Sequence, residues 1–560
     1  MQEIQNQLKQ TIKNLYNIDF DPEITVSPAN IDADYSSNAP LKLAGVLHKA
    51  PMQIAEELGI GTPSAPGFVN FTISDDTLKT SIRNLDLSNN DYAGKNIICE
   101  FSDPNPFKIL HVGHLYTSIM GDSISRLYEY AGANVTRANF GGDVGLHVAK
   151  TMYALQKKSI GVENLTIEDI SNCYIEGTAL YEDDEEAKAE ITKLNKEIYK
   201  INAEDIHGTE LADLYWKGRE LSYDYFKDFY ATIGIKFDKY YPESTVAALG
   251  LQTVKEQLEK GIYEVSDGAV IFNGDKFGLH TRVFINKEGV PTYEAKDVGL
   301  IFTKWSDYHF DKSVVITGNE QLEYMKVVLK SVEQYAPELV EKTSHLTHGL
   351  VKLPGGVKMS SRKGNILKAV DVLNMVKDEL KNEYNSEDEK VSLAATKYAF
   401  LKYKMGGNIV FDPKESVKMT GNSGPYLLYS CVRAKKILSG VENNRKANVR
   451  DNGSDLASEA HNDGPERSGS RAIALTPFER NLIKKILEYK GVLAEAVNDM
   501  APHKVANFLY ELAQEFSRFY ENCPVAGTPE EKERASLVEK YLQVMNHGLN
   551  ILGILVPEEM

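Results

Sequence analysis

Between residues 97 and 140 the apolar positions follow first the period of a strand and then the period of a helix. A short apolar run ends at the turn residues Asp103-Pro104-Asn105-Pro106. The next apolar positions are spaced as on one helix face: Leu115, Ile119, Ile124, Leu127 and Tyr128. Gly132 ends this pattern, and a second strand begins at Asn134. The order strand, turn, helix, strand predicts one unit of an α/β sheet.

The same patterns predict three domains. Residues 1–92 combine helical stripes with an alternating strand, which predicts an α+β domain. Residues 93–370 alternate strands and helices, which predicts a doubly wound (Rossmann-like) parallel sheet, with a charged helical insertion at about 160–230. Residues 371–560 carry apolar stripes of helical period and predict an all-α helical bundle. The expected fold class is therefore multidomain α/β.

Two finer predictions concern the second and third domains. Strands are predicted at residues 269–272, 282–285 and 314–316, and we assign all of them to the sheet that resumes after the insertion. A segment of the bundle at about residues 440–471 is rich in Asn, Asp, Ser, Gly and Arg and has few apolar residues. That composition predicts a mobile loop.

Composition narrows the class of protein. Of the 560 residues, 42% are hydrophobic and 26% are charged, as in an ordinary globular protein. The net charge of −17 argues against a non-specific nucleic-acid coat but allows a local basic RNA surface. The four cysteines form no C-x-x-C pair, which predicts neither structural zinc nor a disulfide framework. We expect a cytoplasmic location, since there is no signal-peptide pattern and no apolar run of the roughly 18 residues that a membrane span needs.

The first candidate for chemistry is His111-Val112-Gly113-His114, at the predicted helix start. Free backbone N–H groups and the positive end of the helix dipole make such a start an anion site. Two histidines placed there are able to contact a polyphosphate. An alternative stays open at this point, in which the histidines cap the helix and pack locally.

A second candidate lies between Val351 and Val370, a segment with five basic residues and no acidic one. The basic residues are Lys352, Lys358, Arg362, Lys363 and Lys368. Pro354-Gly355-Gly356 predicts that the segment is a flexible loop. A charged segment is often only a solvated surface, but this one follows a phosphate-type helix start in the same α/β domain. A loop of this kind would neutralise the charge of a departing pyrophosphate, which predicts an ATP site.

His111-Val112-Gly113-His114 and Lys358-Met359-Ser360-Ser361-Arg362 resemble the two signatures of the class I aminoacyl-tRNA synthetases. The resemblance is closest to the arginyl-tRNA synthetase family and extends over nearly the whole chain. It is carried further by Glu100 to Lys108, Arg137-Ala138-Asn139 with Gly142-Asp143, Gly421 to Tyr426, and Leu552 to Met560. The resemblance implies ATP-dependent ligation of L-arginine to tRNA(Arg) through an arginyl-adenylate, for protein synthesis.

The resemblance also implies the site residues. Around the arginine it places Asn105, Glu243, Tyr293, Asp297 and Gln321. Toward ATP it places Lys108, His111, Gly113, His114, Lys358, Met359 and Ser360, of which His111, His114 and Lys358 are the expected catalytic residues. The chemistry agrees, because a planar guanidinium binds carboxylates such as Glu243 and Asp297 in a bidentate way. Without the resemblance, residues such as Glu243, Tyr293 and Asp297 more often belong to an ordinary surface than to a site.

For the tRNA, the resemblance implies that the helical bundle binds the anticodon. Tyr426 and Tyr429 would stack on its bases and Arg433 would add a cation, although core packing explains the same tyrosines. The N-terminal domain resembles the family's additional tRNA-binding domain, in which Asp34 to Asn38 is either a helix-capping turn or a partner contact. The expected partners are tRNA(Arg), L-arginine and ATP with its Mg²⁺. We expect a monomer without a structural metal and without a membrane partner.

Three residues depart from the family pattern. Ser361 stands where the wider class often has a second lysine, so that Arg362 or Lys363 would supply the charge. Tyr116 and Leu428 replace a common arginine and a common glutamine, respectively. These two changes concern local tRNA contacts and leave the chemistry unaffected.

Two other functional classes compete with this interpretation. A nucleotidylyltransferase would use the same His-x-Gly-His site but has no use for a long helical bundle. A non-catalytic RNA-binding relative would be free to lose His111, His114 or Lys358, and all three are present. Arginine-dependent pyrophosphate exchange distinguishes the three possibilities.

Overall fold

The computed structural model describes residues 2–28, 31, 33–355, 367–452 and 474–560. The N-terminal part folds as α1 (Gln2–Tyr16), β1 (Thr25–Val26), β2 (Tyr35–Ser37), α2 (Ala39–Leu47), α3 (Pro51–Glu57), β3 (Thr62–Ser64), β4 (Phe68–Phe71) and α4 (Asp75–Arg83). Its strands form an antiparallel sheet in the order β1-β2-β4-β3. Leu8 and Ile12 of α1 meet Leu43 of α2 and Val69 of β4 in the core. The predicted α+β fold of this part is confirmed.

The second part of the chain alternates strands and helices as the sequence predicts. Its elements are β5 (Asn96–Glu100), α5 (Val112–Tyr130), β6 (Asn134–Gly141), α6 (Leu146–Lys157), α7 (Ile167–Asp183), α8 (Glu185–Ala203), α9 (Glu210–Thr232), β7 (Lys239–Pro242), α10 (Glu243–Glu259), β8 (Glu264–Ser266), β9 (Ala269–Phe272), β10 (Arg282–Ile285), α11 (Tyr293–Tyr308), β11 (Lys312–Gly318), α12 (Leu322–Glu333), α13 (Pro337–Glu341), β12 (Thr343–His348) and β13 (Val351–Lys352).

A five-stranded sheet in the order β12-β11-β5-β6-β7 organises this part, and its neighbouring strands are all parallel. From β5 the chain proceeds to β6 and β7 on one side, and it later returns to β11 and β12 on the other side. In open parallel sheets, ligands bind beyond the carboxyl ends of the strands at such a reversal of strand order. The predicted doubly wound sheet is confirmed, and its topology points to the end of β5.

Helix α5 packs closely on the end of β5 because Gly121 lies against Phe101, the residue that follows the strand. A Cβ atom at Gly121 would lie only 2.1 Å from Cγ of Phe101. The predicted apolar face of the helix, from Leu115 to Tyr128, is buried. This packing fixes the N-terminus of α5 beside the carboxyl end of the sheet.

Two of the predicted strands belong to a different sheet. β9 pairs with β10 on one side and with β8 on the other in a separate three-stranded antiparallel sheet, so the assignment of β9 and β10 to the parallel sheet is wrong. The reason is the connection, because Asp267 and Gly268 join β8 to β9 as a tight hairpin with φ of 50° and 79°. A two-residue hairpin allows antiparallel pairing, whereas a parallel pair needs a long crossover. Residues 314–316 do lie in the parallel sheet, within β11.

The C-terminal part is almost entirely helical, which confirms the predicted bundle. It contains α14 (Ala369–Tyr384), α15 (Glu389–Leu401), the short strand β14 (Ile409–Val410), α16 (Pro413–Ser416), α17 (Gly424–Asn452), α18 (Pro477–Asn498), α19 (Pro502–Asn522) and α20 (Glu531–Ile551). Across the parts of the chain that the structure describes, none of the helices has the length and apolar character needed to cross a membrane.

The mobile loop predicted at about residues 440–471 is wrong for residues 440–452, which belong to helix α17. A polar composition alone does not end a helix, because residues such as Glu, Arg and Lys have good helix propensity. The rest of that predicted loop lies at residues 453–471, which are not among the described residues.

The chain divides into two compact units. One comprises Met1–Asp86, Ile437–Lys490 and Gln514–Tyr541, and the other comprises Leu87–Lys436, Gly491–Ala513 and Leu542–Met560. The first unit therefore combines the N-terminal α+β fold with pieces of the helical bundle. The second unit contains the parallel sheet and the remaining pieces of the bundle.

Within the first unit, Asp34 links the α+β fold to helix α18 through polar contacts. Its carboxylate accepts hydrogen bonds from Arg480 (2.7 Å) and Lys484 (2.9 Å) of α18 and from the backbone N–H of Ile73 (2.7 Å). Arg480 also forms an ion pair with Asp75. Asp34 is buried and serves as an internal anchor, so neither the capping turn nor the partner contact considered for this patch describes its role.

In the second unit, the end of the chain packs against α5. Ser123 of α5 donates to the carbonyl oxygen of Ile551 at 3.0 Å, and Lys397 of α15 donates to the carbonyl oxygen of Gly553 at 2.6 Å. Gly553 has a φ of 65°, and a Cβ there would lie 3.0 Å from Oδ2 of Asp122. A glycine is therefore required where the chain turns against α5.

Candidate active site

A cavity of about 880 Å³ opens beyond the carboxyl ends of β5, β6, β11 and β12. The predicted site residues that line it are Asn105, His111, Gly113, His114, Glu243, Tyr293, Asp297 and Gln321. The predicted phosphate site and the predicted arginine pocket are thus walls of one cavity. Lys358, Met359 and Ser360 fall in residues 356–366, which the structure does not describe.

The loop between β5 and α5 forms one wall of the cavity in an unusual backbone conformation. Ser102, Asp103 and Phe107 have φ values of 73°, 47° and 64°. Non-glycine residues rarely adopt this left-handed region, and such strain concentrates at functional sites. The conformation brings Oδ1 of Asn105 to 2.8 Å from the backbone N–H of Gly142, which donates to it. Asn105 is thereby tied to the end of β6.

His111 and His114 cap the helix that they begin. The backbone N–H of Gly113 donates to Nδ1 of His111 at 3.1 Å, and the backbone N–H of His111 donates to Nδ1 of His114 at 3.1 Å. These bonds satisfy backbone donors that have no partner within the helix. Because both Nδ1 atoms accept, the proton of each neutral ring lies on Nε2. Each ring therefore keeps its Nε2–H donor, which takes no part in the cap.

Burial keeps both of these imidazoles neutral near pH 7. It lowers the pKa of His111 to about 4, and the nearby Lys108 and His348 contribute to this shift. It also lowers the pKa of His114 well below its usual value. The two side chains are thus hydrogen-bond donors rather than cations near neutral pH. Donors that are already oriented stabilise developing charge without reorganisation.

Glu243 begins α10 and is already paired inside the protein. Its Oε2 lies 2.7 Å from Nζ of Lys296, and both side chains are buried. Burial raises the pKa of Glu243, and the ammonium of Lys296 opposes that rise. The hydroxyl of Tyr199 accepts a second hydrogen bond from Lys296 at 2.8 Å.

Asp297 directly follows Lys296 in α11, and its environment differs from that of Glu243. It accepts a hydrogen bond from the hydroxyl of Tyr324. Burial raises the pKa of Asp297 to about 8, with smaller contributions from the charges of Glu100 and Glu243. Among the described residues no cation forms an ion pair with it. Asp297 is therefore a carboxyl group whose ionisation would be favoured by a cationic ligand.

Other carboxylates around the cavity are neutralised internally. Glu100 pairs with Lys304 at 2.6 Å, and Glu294 pairs with Arg282 at 3.2 Å. Asp103, by contrast, accepts the backbone N–H of Phe140 at 2.8 Å, and its burial raises its pKa well above the usual value. The cavity therefore keeps three carboxyl groups without an ion pair in the described part of the chain, the buried Asp103 and Asp297 and the exposed Glu320.

Comparison with known proteins shows how far these features extend. A family described as "tRNA synthetases class I (R), catalytic domain" matches residues 80–412. An "Arginyl tRNA synthetase N terminal domain" matches residues 2–73, and a "DALR anticodon binding domain" matches residues 427–560. The chain belongs to the arginyl-tRNA synthetase family.

Individual relatives agree with this assignment. The arginine–tRNA ligase of Treponema denticola is 30% identical over 83% of this chain and 79% of its own length. That of Fusobacterium nucleatum is 28% identical over 98% and 97% of the two chains. The solved structure of Thermus thermophilus arginyl-tRNA synthetase shares the fold over the full length of both chains, with a TM-score of 0.78 and 22% identity.

Membership of the arginyl-tRNA synthetase family confirms the predicted fold class and the predicted enzyme class, an aminoacyl-tRNA ligase. It also confirms the predicted reaction, the aminoacylation of tRNA(Arg) with arginine. The assignment of individual residues to arginine, ATP and tRNA stays a prediction. The same is true of the domain boundaries and the monomeric state.

Three predicted residues of this family member stand at the edge of the cavity. Lys108 lies beside the wall, with its ammonium 4.8 Å from the ring centre of Tyr174 in α7. Tyr293 is 54% exposed, so its ring faces the opening and does not fill the core. Gln321 is exposed and immediately precedes α12. The structure thus places these residues near the site without giving them a fixed polar partner in the cavity wall.

The three residues predicted to bind tRNA separate into two groups. Tyr429 is 42% exposed and accepts a hydrogen bond from Arg433 at 2.9 Å, and the guanidinium lies over its ring at 4.8 Å. Tyr426 packs edge to face on Tyr510 with ring centres 5.8 Å apart. Tyr429 and Arg433 therefore form a surface pair, whereas Tyr426 is partly committed to internal packing.

Sequence reasoning missed Lys296, Lys304, Asp103 and Tyr324. The signal for the two lysines was present, because both stand four residues from the buried Leu300 on one face of α11. A charged residue on the apolar face of a helix needs a buried partner. Asp103 and Tyr324 carried no local signal, since their position in the cavity wall depends on the tertiary structure. The described residues hold no group of three or more His, Cys, Asp or Glu side chains arranged for a metal ion.

Proposed function

We propose that this cavity makes arginyl-adenylate from L-arginine and ATP and then transfers the arginyl group to tRNA(Arg). The observation that carries the proposal is the meeting of two unlike walls in one cavity. One wall is the N-terminus of α5 with its two neutral histidine donors. The other is the carboxylate wall formed by the first turns of α10 and α11. A substrate with a cationic side chain and a phosphate-activated carboxylate fits between them.

For arginine, Asp297 is the primary carboxylate. It forms no ion pair in the described part of the chain, so a guanidinium would supply one. Glu243 contributes its Oε1 atom, because Oε2 is held by Lys296. Asn105, Tyr293 and Gln321 complete the pocket, and Asn105 is fixed by its bond from Gly142.

For ATP, the donors are the Nε2–H groups of His111 and His114, and Gly113 allows the phosphates to approach the backbone. Lys108 adds positive charge beside the histidines. The resemblance adds Lys358, Met359 and Ser360. ATP enters as its Mg²⁺ complex, in which phosphate oxygens and water supply most of the ligands of the metal.

In the first step an oxygen of the arginine carboxylate attacks the α-phosphorus of ATP, and the bond to the pyrophosphate oxygen breaks. Negative charge grows on the phosphate oxygens, where the histidine donors and Lys358 stabilise it. In the second step the terminal ribose hydroxyl of the tRNA attacks the activated carbonyl carbon, and AMP leaves. Positioning of the reactants contributes much of the acceleration.

For tRNA recognition, the proposal assigns the anticodon to the helical bundle. Tyr429 offers an exposed ring and Arg433 a cation, the combination that binds unstacked bases. The N-terminal α+β fold would contact another part of the tRNA through surfaces other than Asp34, which is used internally. We propose that the protein acts as a monomer in the cytoplasm.

The decisive test is ATP–pyrophosphate exchange with the purified chain. We expect exchange that depends on L-arginine and, as the family resemblance implies, on tRNA(Arg). Lysine at the same concentration is the matched control, since its side chain carries a compact ammonium group in place of the planar guanidinium. Exchange driven by another amino acid, or none with arginine and tRNA present, would reject the proposal.

A further inference from the structure

The buried lysine of the arginine pocket has no assigned role. Lys296 stands in the first turn of α11, between Tyr293 and Asp297. Its Nζ lies 2.7 Å from Oε2 of Glu243, and the two side chains are 3% and 6% exposed. Burying a charged pair is costly, so such a pair is weak evidence for stability and calls for another explanation.

Two further contacts hold the ammonium of Lys296 in place. It donates a hydrogen bond to the hydroxyl of Tyr199 in α8 at 2.8 Å. It also lies 5.1 Å from the ring centre of Tyr293, a distance at which a cation and an aromatic face attract each other. Glu243 and Tyr199 together raise the pKa of Lys296, which therefore stays charged. The lysine is a fixed internal cation rather than a mobile surface group.

The pair leaves one oxygen of Glu243 for a ligand. Oε2 is directed to Lys296, while Oε1 is the oxygen nearest to Gly142, where an added Cβ would lie 3.0 Å from it. The backbone N–H of Gly142 is in turn bound to Oδ1 of Asn105. The free oxygen of Glu243 thus adjoins two other elements of the cavity wall.

We infer that Lys296 is a positioning residue for arginine recognition, which holds Glu243 ionised and fixes the direction of Oε1, an oxygen that no donor binds in the described part of the chain. This inference rests on the proposed function of the cavity. It means that Glu243 offers the guanidinium one acceptor and that Asp297 is the carboxylate available for the stronger contact. It also means that the pocket is less negative than its carboxylates suggest.

Removal of Lys296 leaves no close cation to replace it among the described residues. The groups that interact electrostatically with Glu243 include Lys296, Asp297, Asp143, Lys108, Tyr223, Tyr293 and Tyr324. Asp143 is itself bound to Arg219 at 3.0 Å, and Lys108 lies over Tyr174. Burial would then dominate, and Glu243 would take up a proton near neutral pH.

The test is Lys296→Met, with the KM for arginine measured in tRNA-supported pyrophosphate exchange from pH 6 to pH 9. We expect the KM for arginine to rise about tenfold or more relative to the wild type at pH 7, because arginine must first displace a proton from Glu243. The ratio of variant to wild-type KM should fall as the pH rises. The KM for ATP should stay within about twofold, since the lysine is not part of the phosphate wall.

Three variants separate positioning from simple loss of structure. Lys296→Arg keeps a buried cation and should restore most of the arginine affinity. Glu243→Gln should raise the KM for arginine, and adding Lys296→Met to it should raise the KM no further, because the lysine acts through Glu243.

The outcomes distinguish this inference from the proposed function. A wild-type chain without arginine-dependent exchange would overturn both. An active wild type in which Lys296→Met alters the arginine and ATP KM values equally, without dependence on pH, would overturn the inference alone. If Lys296→Met does not fold, Lys296→Gln, which removes the charge but keeps a hydrogen-bond donor, takes its place: additivity of Lys296→Gln and Glu243→Gln would overturn the inference, and strong non-additivity would support it.

Discussion

The imidazole rings of His111 and His114 stack with their centres 3.8 Å apart at the N-terminus of α5. Each ring uses Nδ1 to accept a backbone N–H of the same helical turn. One side of each ring therefore stabilises the helix, and the Nε2–H side remains for the ligand. The two interpretations of this motif, a helix cap and a phosphate site, are consequently compatible with each other.

The first prediction separates these two uses at His111. In His111→Asn the amide oxygen is able to replace Nδ1 in the cap, whereas the Nε2–H donor is lost. We expect kcat to fall about 100-fold or more, with little change in thermal stability. His111→Ala should lose a similar factor in kcat and also about 1 kcal/mol of stability from the missing cap. Equal stability of the two variants, measured by thermal unfolding, would contradict the cap.

The second prediction concerns the glycine between the two histidines. A Cβ at Gly113 would lie 2.8 Å from Cε1 and 2.9 Å from Nδ1 of His111. Gly113→Ala should therefore displace that ring and lower kcat by about tenfold. Gly45→Ala is a matched control in α2, where nothing lies within 4 Å of the new Cβ. The control should retain full activity and gain up to about 1 kcal/mol of stability.

The third prediction concerns pH and Asp297, whose pKa burial raises to about 8 in the empty site. Arginine requires the ionised carboxylate, so its KM should fall by up to about tenfold for each pH unit between pH 6 and pH 8. The KM of Asp297→Asn should be high and should lack this dependence. A wild-type KM that is constant over this range would remove Asp297 from the guanidinium contact.

The same shift has a consequence for stability, which serves as an internal check. The pKa of Asp297 in the folded chain lies above its ordinary value of 3.8. Its protonated form therefore contributes stability that is complete below about pH 4 and is lost as the pH rises through about 8. Asp297→Asn cannot ionise. The difference in melting temperature between this variant and the wild type should therefore shift in favour of the variant as the pH rises from about 4 to about 8. A constant difference between the two would contradict the shifted pKa.

The fold of the site was largely predictable from sequence because its central unit is specified locally. The strand before Asp103, the helix from Leu115 to Tyr128 and the stop at Gly132 each follow from short-range pattern and turn chemistry. The start of α11 was also predictable from the sequence, since Thr292 follows a proline and precedes the helix. The assignment of the strands within residues 269–285 to the parallel sheet is wrong because the Asp267-Gly268 hairpin makes β8 and β9 antiparallel.

The electrostatics of the site were not predictable in the same way. A carboxylate such as Glu243 has its charge set by Lys296, which lies 53 positions away in sequence. Asp103 and Asp297 acquire raised pKa values through burial, which is a property of the assembled sheet and not of the local sequence. The sequence therefore identified the residue types and positions of the pocket, but not which carboxylates are already neutralised.

The fourth prediction concerns the surface pair in α17. Tyr429→Ala should raise the KM for tRNA by about tenfold, because stacking contributes about 1–3 kcal/mol per base. The KM for arginine should be unchanged. Tyr426→Ala should instead lower thermal stability, since Tyr426 packs against Tyr510. Equal tRNA effects of the two variants, in aminoacylation assays at fixed salt, would argue against a specific role for Tyr429.

The fifth prediction concerns the anchor of the first unit. Arg480→Met would leave Asp34 with one cation and Asp75 with none of its α18 contacts, so we expect this unit to lose about 3 kcal/mol. Lys484→Met keeps Arg480 and should cost about 1 kcal/mol. Hydrogen exchange of β4 and α18 measures both changes. A larger effect of Lys484→Met would show that Arg480 is not the main partner.

The contacts of Ser123 with Ile551 and of Lys397 with Gly553 have a consequence for how the chain is made. The outer face of α5 meets residues that are 428 positions further along the sequence. During synthesis, which proceeds from the N-terminus, the helix that presents both histidines therefore emerges long before its last neighbours. Asp122 and Lys397 lack these neighbours until residues 551–553 have left the ribosome. A nascent chain can thus form its catalytic sheet early, yet complete the support of its catalytic helix only after residue 553 has been made.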